Sequence, residues 1–422
     1  MGMGPEKIHK GGRIMKKGWL ILVVSIVSAF MVLGGTPRAA EPIKIGLTIS
    51  TTGKYTFASS QGFKGVKIWA DLVNERGGIS FAGQKRPVKL IYYDDRSDKE
   101  MVVRLYEKLI NEDKVDICFA PFGSTLTGAA AAITEKHKKM LIIWSAASDA
   151  IYAQGYKYIV SATETPVSLM PKPEIEHMKM LGIKSIAIVY VDEPFPAGLA
   201  KYAKQLAKQN GIKVVLYEKY SPGTKDFTIL LQKVKRSKPD AFYHSAYMDD
   251  QKMMIRQMKE ANLMFPYVYM VYSGMPQWKD LGPDGWYIFG HTLYHEKLNW
   301  KVTAGLTRAQ FEEVFRKKFP KAENPPDFQT SLAYGAGVIL EEMIKKAGST
   351  DAAALKSAAL ELSGKITVMT GPYEIDETGK QLQMPFIVTQ VQPTREYRLE
   401  LLYPVDVATA KAVFPIPPWD RR

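Results

Sequence analysis

Two short loops carry the residues best suited to holding an anion. In Phe122-Gly-Ser-Thr-Leu-Thr-Gly128, Gly123 permits a tight turn, and Ser124 or Thr125 is a natural N-cap for the Ala-rich run that follows. That run ends in Lys136, His137, Lys138 and Lys139, cations that suit the negative end of a helix. The free N–H groups at its start make a ready carboxylate site. Taken alone, such a cap bonds only its own helix. The next segment strengthens the case: Met140–Trp144 runs into Ser145-Ala-Ala-Ser-Asp149, a second small loop with hydroxyls. In a parallel sheet the two loops are neighbours and offer hydroxyls and backbone donors to one anion.

Other chemistries find less support. His291 and His295 would share a face only on a helix, whereas Thr292-Leu-Tyr-His reads as a strand emerging from 286–290, and no metalloprotease-type carboxylate follows. Gly123-Ser124 lacks the Gly-x-Ser-x-Gly elbow of hydrolases. There is no Walker loop, and Ser50-Thr-Thr-Gly-Lys-Tyr55 has one glycine where a dinucleotide fingerprint needs three. Asp94-Asp95 end a strand and read as structural. Met253, Met254 and Met258 read as core. No metal, cofactor or catalytic set is expected.

The elements that would position the two loops alternate. Strand patterns at 43–49, 88–93, 115–120 and 140–144 are separated by helical spacing at 61–74, 100–111 and 125–138. The order βαβαβαβ implies parallel strands with helical crossovers. The pattern restarts with strands at 186–191, 213–217, 241–244 and 267–271 and helices at 198–209, 227–237 and 250–261. Late helices (307–319, 330–346, 351–362) and late strands (366–368, 371–376, 386–391) fit neither unit alone. If those helices return to the first unit and those strands to the second, the chain crosses between lobes several times. The ligand then sits in the cleft, beyond the carboxyl ends of the strands.

The chain opens with a basic stretch and the apolar run Trp19–Leu33, then Ala39-Ala40 directly before the first strand. This reads as a secretion signal over 1–40, with 1–14 an upstream extension before Met15. The competing reading is an uncleaved anchor. Without 1–40 the chain keeps 382 of 422 residues, enough for two domains. The leader carries six basic residues against Glu6, so +5 of the formal +14 leaves with it. The remaining excess is dispersed, with no Lys/Arg block interleaved with aromatics, so nucleic acid is not an expected partner. Cys118 is the single cysteine; no internal disulfide can form, and the fold must rest on buried cores.

An ordered set of motifs carries a resemblance: Ile45-Gly-Leu-Thr-Ile-Ser-Thr-Thr-Gly-Lys-Tyr55, Asn74-x-x-Gly-Gly-Ile79, Tyr93-Asp-Asp-x-Ser97, the loop at Gly123, Tyr220-Ser-Pro-Gly-Thr-Lys-Asp-Phe227, Lys238-Pro-Asp240 and Ala333-Tyr-Gly-Ala336. From 43 to 407 the chain resembles the branched-chain amino acid-type periplasmic binding proteins of ABC importers. The resemblance implies an α/β type I periplasmic binding fold: two Rossmann-like lobes joined by a multi-crossover hinge, binding rather than catalysis, and a monomer that delivers its ligand from the periplasm to membrane permease subunits. It places lobe 1 at 41–162 plus 293–366 and lobe 2 at 163–292 plus 367–422.

Ligand contacts implied by the resemblance fall on Ser124, on Ala146 and Ser148, and on Tyr55 in lobe 1, and on Phe195 and Tyr247 in lobe 2. Further candidate lining residues are Thr125 and Trp144 of lobe 1 and Tyr272 and Ser273 of lobe 2, Tyr272 and Trp144 as apolar walls. Where amino acid binders of the family place a carboxylate for the ligand ammonium, this chain has Tyr272-Ser273-Gly274. A buried ammonium without a countercharge costs several kcal/mol. Either Asp249 or Asp250 substitutes, or the ligand is a carboxylated, largely apolar molecule with no α-amine, aromatic or branched. An amino acid or amide binder, or a ligand-sensing domain for a membrane receptor, is the alternative.

Overall fold

The computed structural model describes residues 1, 2, 4, 40–393 and 398–422. The expected signal segment, its start codon and its cleavage site therefore fall almost wholly outside the described residues. From Pro42 onward the chain forms one compact unit.

Its first half builds β1 (Ile43–Ile49), α1 (Thr56–Glu75), the hairpin β2 (Ile79–Phe81) and β3 (Gln84–Arg86), β4 (Val88–Asp94), α2 (Lys99–Asn111), β5 (Ile117–Phe119), α3 (Ser124–Lys136), β6 (Leu141–Ile143), α4 (Asp149–Tyr152) and β7 (Ile159–Ser161). The main strands pair in parallel in the order β4-β1-β5-β6-β7. Strands β5, β6 and β7 are wholly buried, as expected for a parallel sheet covered on both faces. Cys118 lies within β5, and burial pushes its thiol up to about 12.

The second half repeats the plan: α5 (Lys172–Met180), β8 (Ser185–Val191), α6 (Pro194–Gln209), β9 (Lys213–Tyr220), α7 (Thr228–Ser237), β10 (Ala241–Ser245), α8 (Met248–Glu260), β11 (Tyr267–Met270) and β12 (Phe289–Thr292). Then come α9 (Arg308–Lys318), α10 (Phe328–Ala347), α11 (Ala352–Leu362), β13 (Ile366–Val368), β14 (Gly371–Tyr373), β15 (Ile387–Gln392) and β16 (Arg398–Tyr403). The second sheet runs β16-β15-β12-β11-β10-β8-β9, with β15 and β16 antiparallel at one edge. Elements β7, α4, α5, β16 and the β2–β3 hairpin have no counterpart in the sequence reading; β7, α4 and the hairpin strands, at three or four residues each, are too short to show a period.

Contacts beside the crossings set several segments next to elements of the other expected lobe, beginning with Thr163, whose Oγ1 donates to the Leu332 carbonyl at 2.9 Å. Residues 293–299 stay with the second sheet, where His295 Nε2 lies 3.1 Å from the Leu399 carbonyl and Leu298 packs with Ile387 and Leu401. The chain reaches the first lobe only near Thr303, whose N–H donates to the Thr367 carbonyl at 2.9 Å. Strands β13 and β14, expected in the second lobe, pair with each other beside the first. Ser161 N–H donates to the Gly379 carbonyl at 2.7 Å, and Gln381 Nε2 to the Ala162 carbonyl at 3.1 Å. The final crossing lies between Met384 and Ile387. The edge of β7 needed backbone partners, and the loop after β14 supplies them.

Helix α10 is buried along almost its whole length, and its main helical neighbour is α1. Asp327 caps its start in a reciprocal box with Thr330, and Gly348 ends it at φ 61°. Two glycines set the α1–α10 approach. A Cβ at Gly65 would lie 2.1 Å from the Thr330 carbonyl oxygen, and one at Gly337 would lie 2.4 Å from the Trp69 ring. Among the described residues no helix is long and apolar enough to cross a membrane.

Gly65→Ala should therefore destabilise the protein by about 1–3 kcal/mol, because overpacking outweighs the helix-propensity gain of about 1 kcal/mol. Gly128→Ala, where a Cβ on α3 meets nothing within 4 Å, should stabilise instead. Melting temperatures of the two variants moving in the same direction would contradict this account of the packing.

Candidate functional site

The parallel order sets the carboxyl ends of β5, β6 and β7 side by side, and each leads into a polar loop. Gly123, at φ 83°, turns the first loop into α3. Its N–H donates to the Ser145 carbonyl at 2.8 Å, which ties the first loop to the second. The Ser148 N–H donates to Ser124 Oγ at 3.1 Å, so the two loops expected to share an anion bond to each other. Ser145 Oγ in turn donates to Gln329 Oε1 on α10 at 2.8 Å. The third loop, after β7, brings Glu164.

Two cavities lie between the lobes. The inner one is lined from lobe 1 by Ser124, Ser145, Ala147, Glu164 and Gln329, and from lobe 2 by Phe195, Val271, Tyr272 and His291. Its volume is about 20 Å³, room for about one water. The outer chamber, about 920 Å³, is bordered by Lys54, Tyr55, Asp249 and Gln277. Phe122, Tyr247 and Tyr272 border both and so divide them. One ring contact crosses the lobes, with Tyr55 and Tyr247 centroids 5.0 Å apart; Tyr55 packs on Phe122 at 5.5 Å within lobe 1 and Phe195 on Tyr247 at 5.9 Å within lobe 2. Lys54 of lobe 1 pairs with Glu193 of lobe 2, and Tyr55 Oη donates to the same Glu193 oxygen at 3.3 Å. The two lobes therefore touch through the Lys54–Glu193 pair and the Tyr55–Tyr247 rings, and aromatic rings line much of the inner cavity.

The residues singled out from the sequence divide by place. Ser124, Phe195, Tyr247 and Tyr272 face the inner cavity. Tyr55 and Asp249 border the outer chamber. Thr125 and Ser148 line a third hollow, of about 610 Å³, on the other side of the α3 start. Ala146 is buried behind its neighbour Ala147, which lines the inner cavity instead. Ser273 turns toward β12: a Cβ on Gly290 would lie 2.1 Å from its hydroxyl. Trp144, expected as a wall, is a core residue packed on Gly62 with Nε1 donating to the Ala120 carbonyl at 2.8 Å. Asp250 accepts from Tyr220 Oη at 3.2 Å, and burial raises its pKa; it lines neither interlobe cavity. His291 and His295 diverge, the first to Glu174 and Tyr269 at 2.9 and 2.7 Å, the second to Leu399.

Glu164 and Gln329 were not identified from the sequence, and His291 was weighed only as a metal ligand. Glu164 sits in Ala162-Thr-Glu-Thr-Pro166, after a three-residue strand whose pattern is too short to announce itself. Its position four residues after Val160, in the loop that follows the apolar pair Ile159-Val160, was the available signal. Glu164 is 6 % exposed, and burial pushes its carboxyl from an ordinary 4.5 up to about 8.

Two α/β lobes with three crossings, meeting at an aromatic cavity that has polar groups at strand carboxyl ends, define a hinged solute receptor of the type I periplasmic binding fold. The chain matches the periplasmic binding protein family over residues 42–396 and belongs to that family. It is 26 % identical over 387 residues to the leucine-, isoleucine-, valine-, threonine- and alanine-binding protein of Pseudomonas aeruginosa, a match covering 89 % of this chain and 96 % of the relative. Among solved structures it resembles a leucine-binding protein of Thermotoga maritima (TM-score 0.73, 21 % identity, 86 % of this chain and 99 % of that one). It also resembles an ABC-transporter solute-binding protein of R. palustris in complex with benzoate (TM-score 0.71, 19 % identity, 89 % and 99 %). The chain is thus a transport substrate-binding protein and not an enzyme, and its family implies work outside the cytoplasm.

Because the folded pKa of Glu164 lies above its ordinary value, its contribution to stability is full at low pH and is lost as pH rises from about 4.5 through about 8. The slope is at most about 1.4 kcal/mol per pH unit. Glu164→Gln should flatten this decline, so the melting temperature of the variant should gain on that of the parent between pH 5 and pH 8.5. A difference independent of pH would show that the carboxyl is not held neutral.

Proposed function

We propose that this protein is the monomeric periplasmic receptor of an ABC importer and that its cargo is a small aromatic carboxylate. The observation that carries the reading is the composition of the inner cavity: a hydroxyl and a helix start on one side, and aromatic rings from both lobes around the rest. Ser124 Oγ accepts the Ser148 N–H, which leaves its own proton to donate to a ligand oxygen. The start of the thirteen-residue α3 adds the positive end of a helix.

Two further features agree. Neither Asp249 nor Asp250 lines the inner cavity, so an α-ammonium would not meet the acids expected for it. The outer chamber is bordered by Lys54, Lys64, Lys252, Lys318 and Lys321 against Asp249 and Glu323, with Lys54, Lys252 and Lys318 in ion pairs, a lining richer in cations than anions that suits an anionic cargo. Binding would draw the rings apart and set the ligand in place of their mutual contacts, with the lobes hinging at the three crossings.

Calorimetric titration with benzoate, phenylacetate, 4-methylpentanoate, leucine and phenylalanine tests this. The aromatic acids should bind, and at a hundred times the dissociation constant a ligand should add about 2.7 kcal/mol of stability. Ser124→Ala should weaken binding about tenfold or more, the loss of one charge-assisted hydrogen bond. Binding of leucine with no response to the aromatic acids would overturn the reading in favour of an amino acid receptor.

A further inference from the structure

Glu164 is the one carboxylate of the inner cavity, and nothing in the reading above uses it. Its side chain is almost wholly buried, yet Oε1 has no hydrogen-bond partner among the described residues. A buried polar atom left unpaired costs about 1–3 kcal/mol, so such an atom at a cavity wall marks a place where a partner arrives. The surroundings hold the group in position: its backbone carbonyl accepts from Ser161 Oγ at 3.1 Å, the Ser145 hydroxyl and the Thr165 backbone act on the carboxyl, and Ser145 is itself held by Gln329 at 2.8 Å.

Topology places Glu164 opposite the anion donors. Ser124 follows β5 and Glu164 follows β7, with β6 between them. Two strand spacings separate these ends, roughly 10 Å. A carboxylate, one aromatic ring and a substituent on its far side bridge a gap of that order. Between the two ends the cavity is walled by Phe122, Tyr272 and Phe328.

We propose that Glu164 is a second recognition point of this cavity, accepting at Oε1 a hydrogen bond from a hydroxyl on the far side of the ligand ring, so that the preferred cargo is a hydroxylated aromatic acid. The proposal rests on the aromatic-carboxylate reading. The choice of hydroxyl over amine follows from charge. Burial keeps the carboxyl neutral near pH 7, and a neutral acid offers one donor and one acceptor, the complement of a phenol rather than of a cation.

The test is calorimetric titration near pH 7 with benzoate, 4-methylbenzoate, 3-hydroxybenzoate and 4-hydroxybenzoate. The parent should bind a hydroxy acid about tenfold or more tightly than the methyl isostere, because a site built to bond a hydroxyl rejects the analogue lacking it. Glu164→Gln, neutral and able both to donate and to accept, should keep most of that preference. Glu164→Leu should bind the methyl acid at least as well as the hydroxy acids. Melting curves of both variants establish that they fold. Benzoate binding without any hydroxyl preference in the parent, or an unchanged preference in Glu164→Leu, overturns this inference alone. Failure of every benzoate while leucine binds overturns the aromatic-carboxylate reading and this inference with it; loss of that leucine binding in Glu164→Gln would instead make Glu164 an ammonium partner.

Discussion

Parallel pairing of three strands, each only three residues long, fixes where the polar groups of the cavity stand. Strands β5, β6 and β7 are buried on both faces, so they cannot slide or twist apart without exposing apolar side chains and breaking ladder hydrogen bonds. Their carboxyl ends then deliver Ser124, Ser145 and Glu164 in a row. The loops hold one another as well, through Gly123 N–H to the Ser145 carbonyl and Ser148 N–H to Ser124 Oγ. The first lobe is in this way a preformed polar shelf. The second lobe brings mainly rings: Phe195, Tyr247 and Tyr272.

That division suits a hinged receptor. Polar groups confined to one lobe can orient a ligand before closure, and rings from the other exclude water afterwards, strengthening the hydrogen bonds already made. In the structure the inner cavity is about 20 Å³. The Tyr55–Tyr247 ring contact and the Lys54–Glu193 pair join the two lobes. A ligand shifts the population only by what it gains in the closed form over the open one, so displaced ring–ring contacts count against it. A cargo that is itself aromatic replaces them with like contacts.

The hinge depends on how firmly each crossing is held. The first and third are tied together, because Thr165 Oγ1 donates to the Met384 carbonyl. The loop after β14 bonds the free edge of β7, and α10 closes on α1 at Gly65 and Gly337. Distant parts of the chain, on either side of the second lobe in sequence, are consequently tied together by hydrogen bonds and close helix packing.

Alternating apolar runs and helical spacings determined most of this protein before any tertiary contact. They carry the two βα units, the parallel order and the anion-suited loops at Ser124 and Ser148, whereas the lobe 2 rings Phe195 and Tyr247 rest on the family resemblance. The former features are local: a period, a cap, a small-residue turn. Only the tertiary structure decided what is non-local. It sent β13 and β14 to the first lobe, because the edge of β7 required partners that sequence neighbours did not supply. It turned Trp144 and Ser273 into core, turned Asp250 toward Tyr220, and brought Glu164 and Gln329 to one cavity from positions far apart in the chain. Whether a side chain faces a cavity or a neighbouring strand depends on which segments return to pack beside it, and no local spacing encodes that.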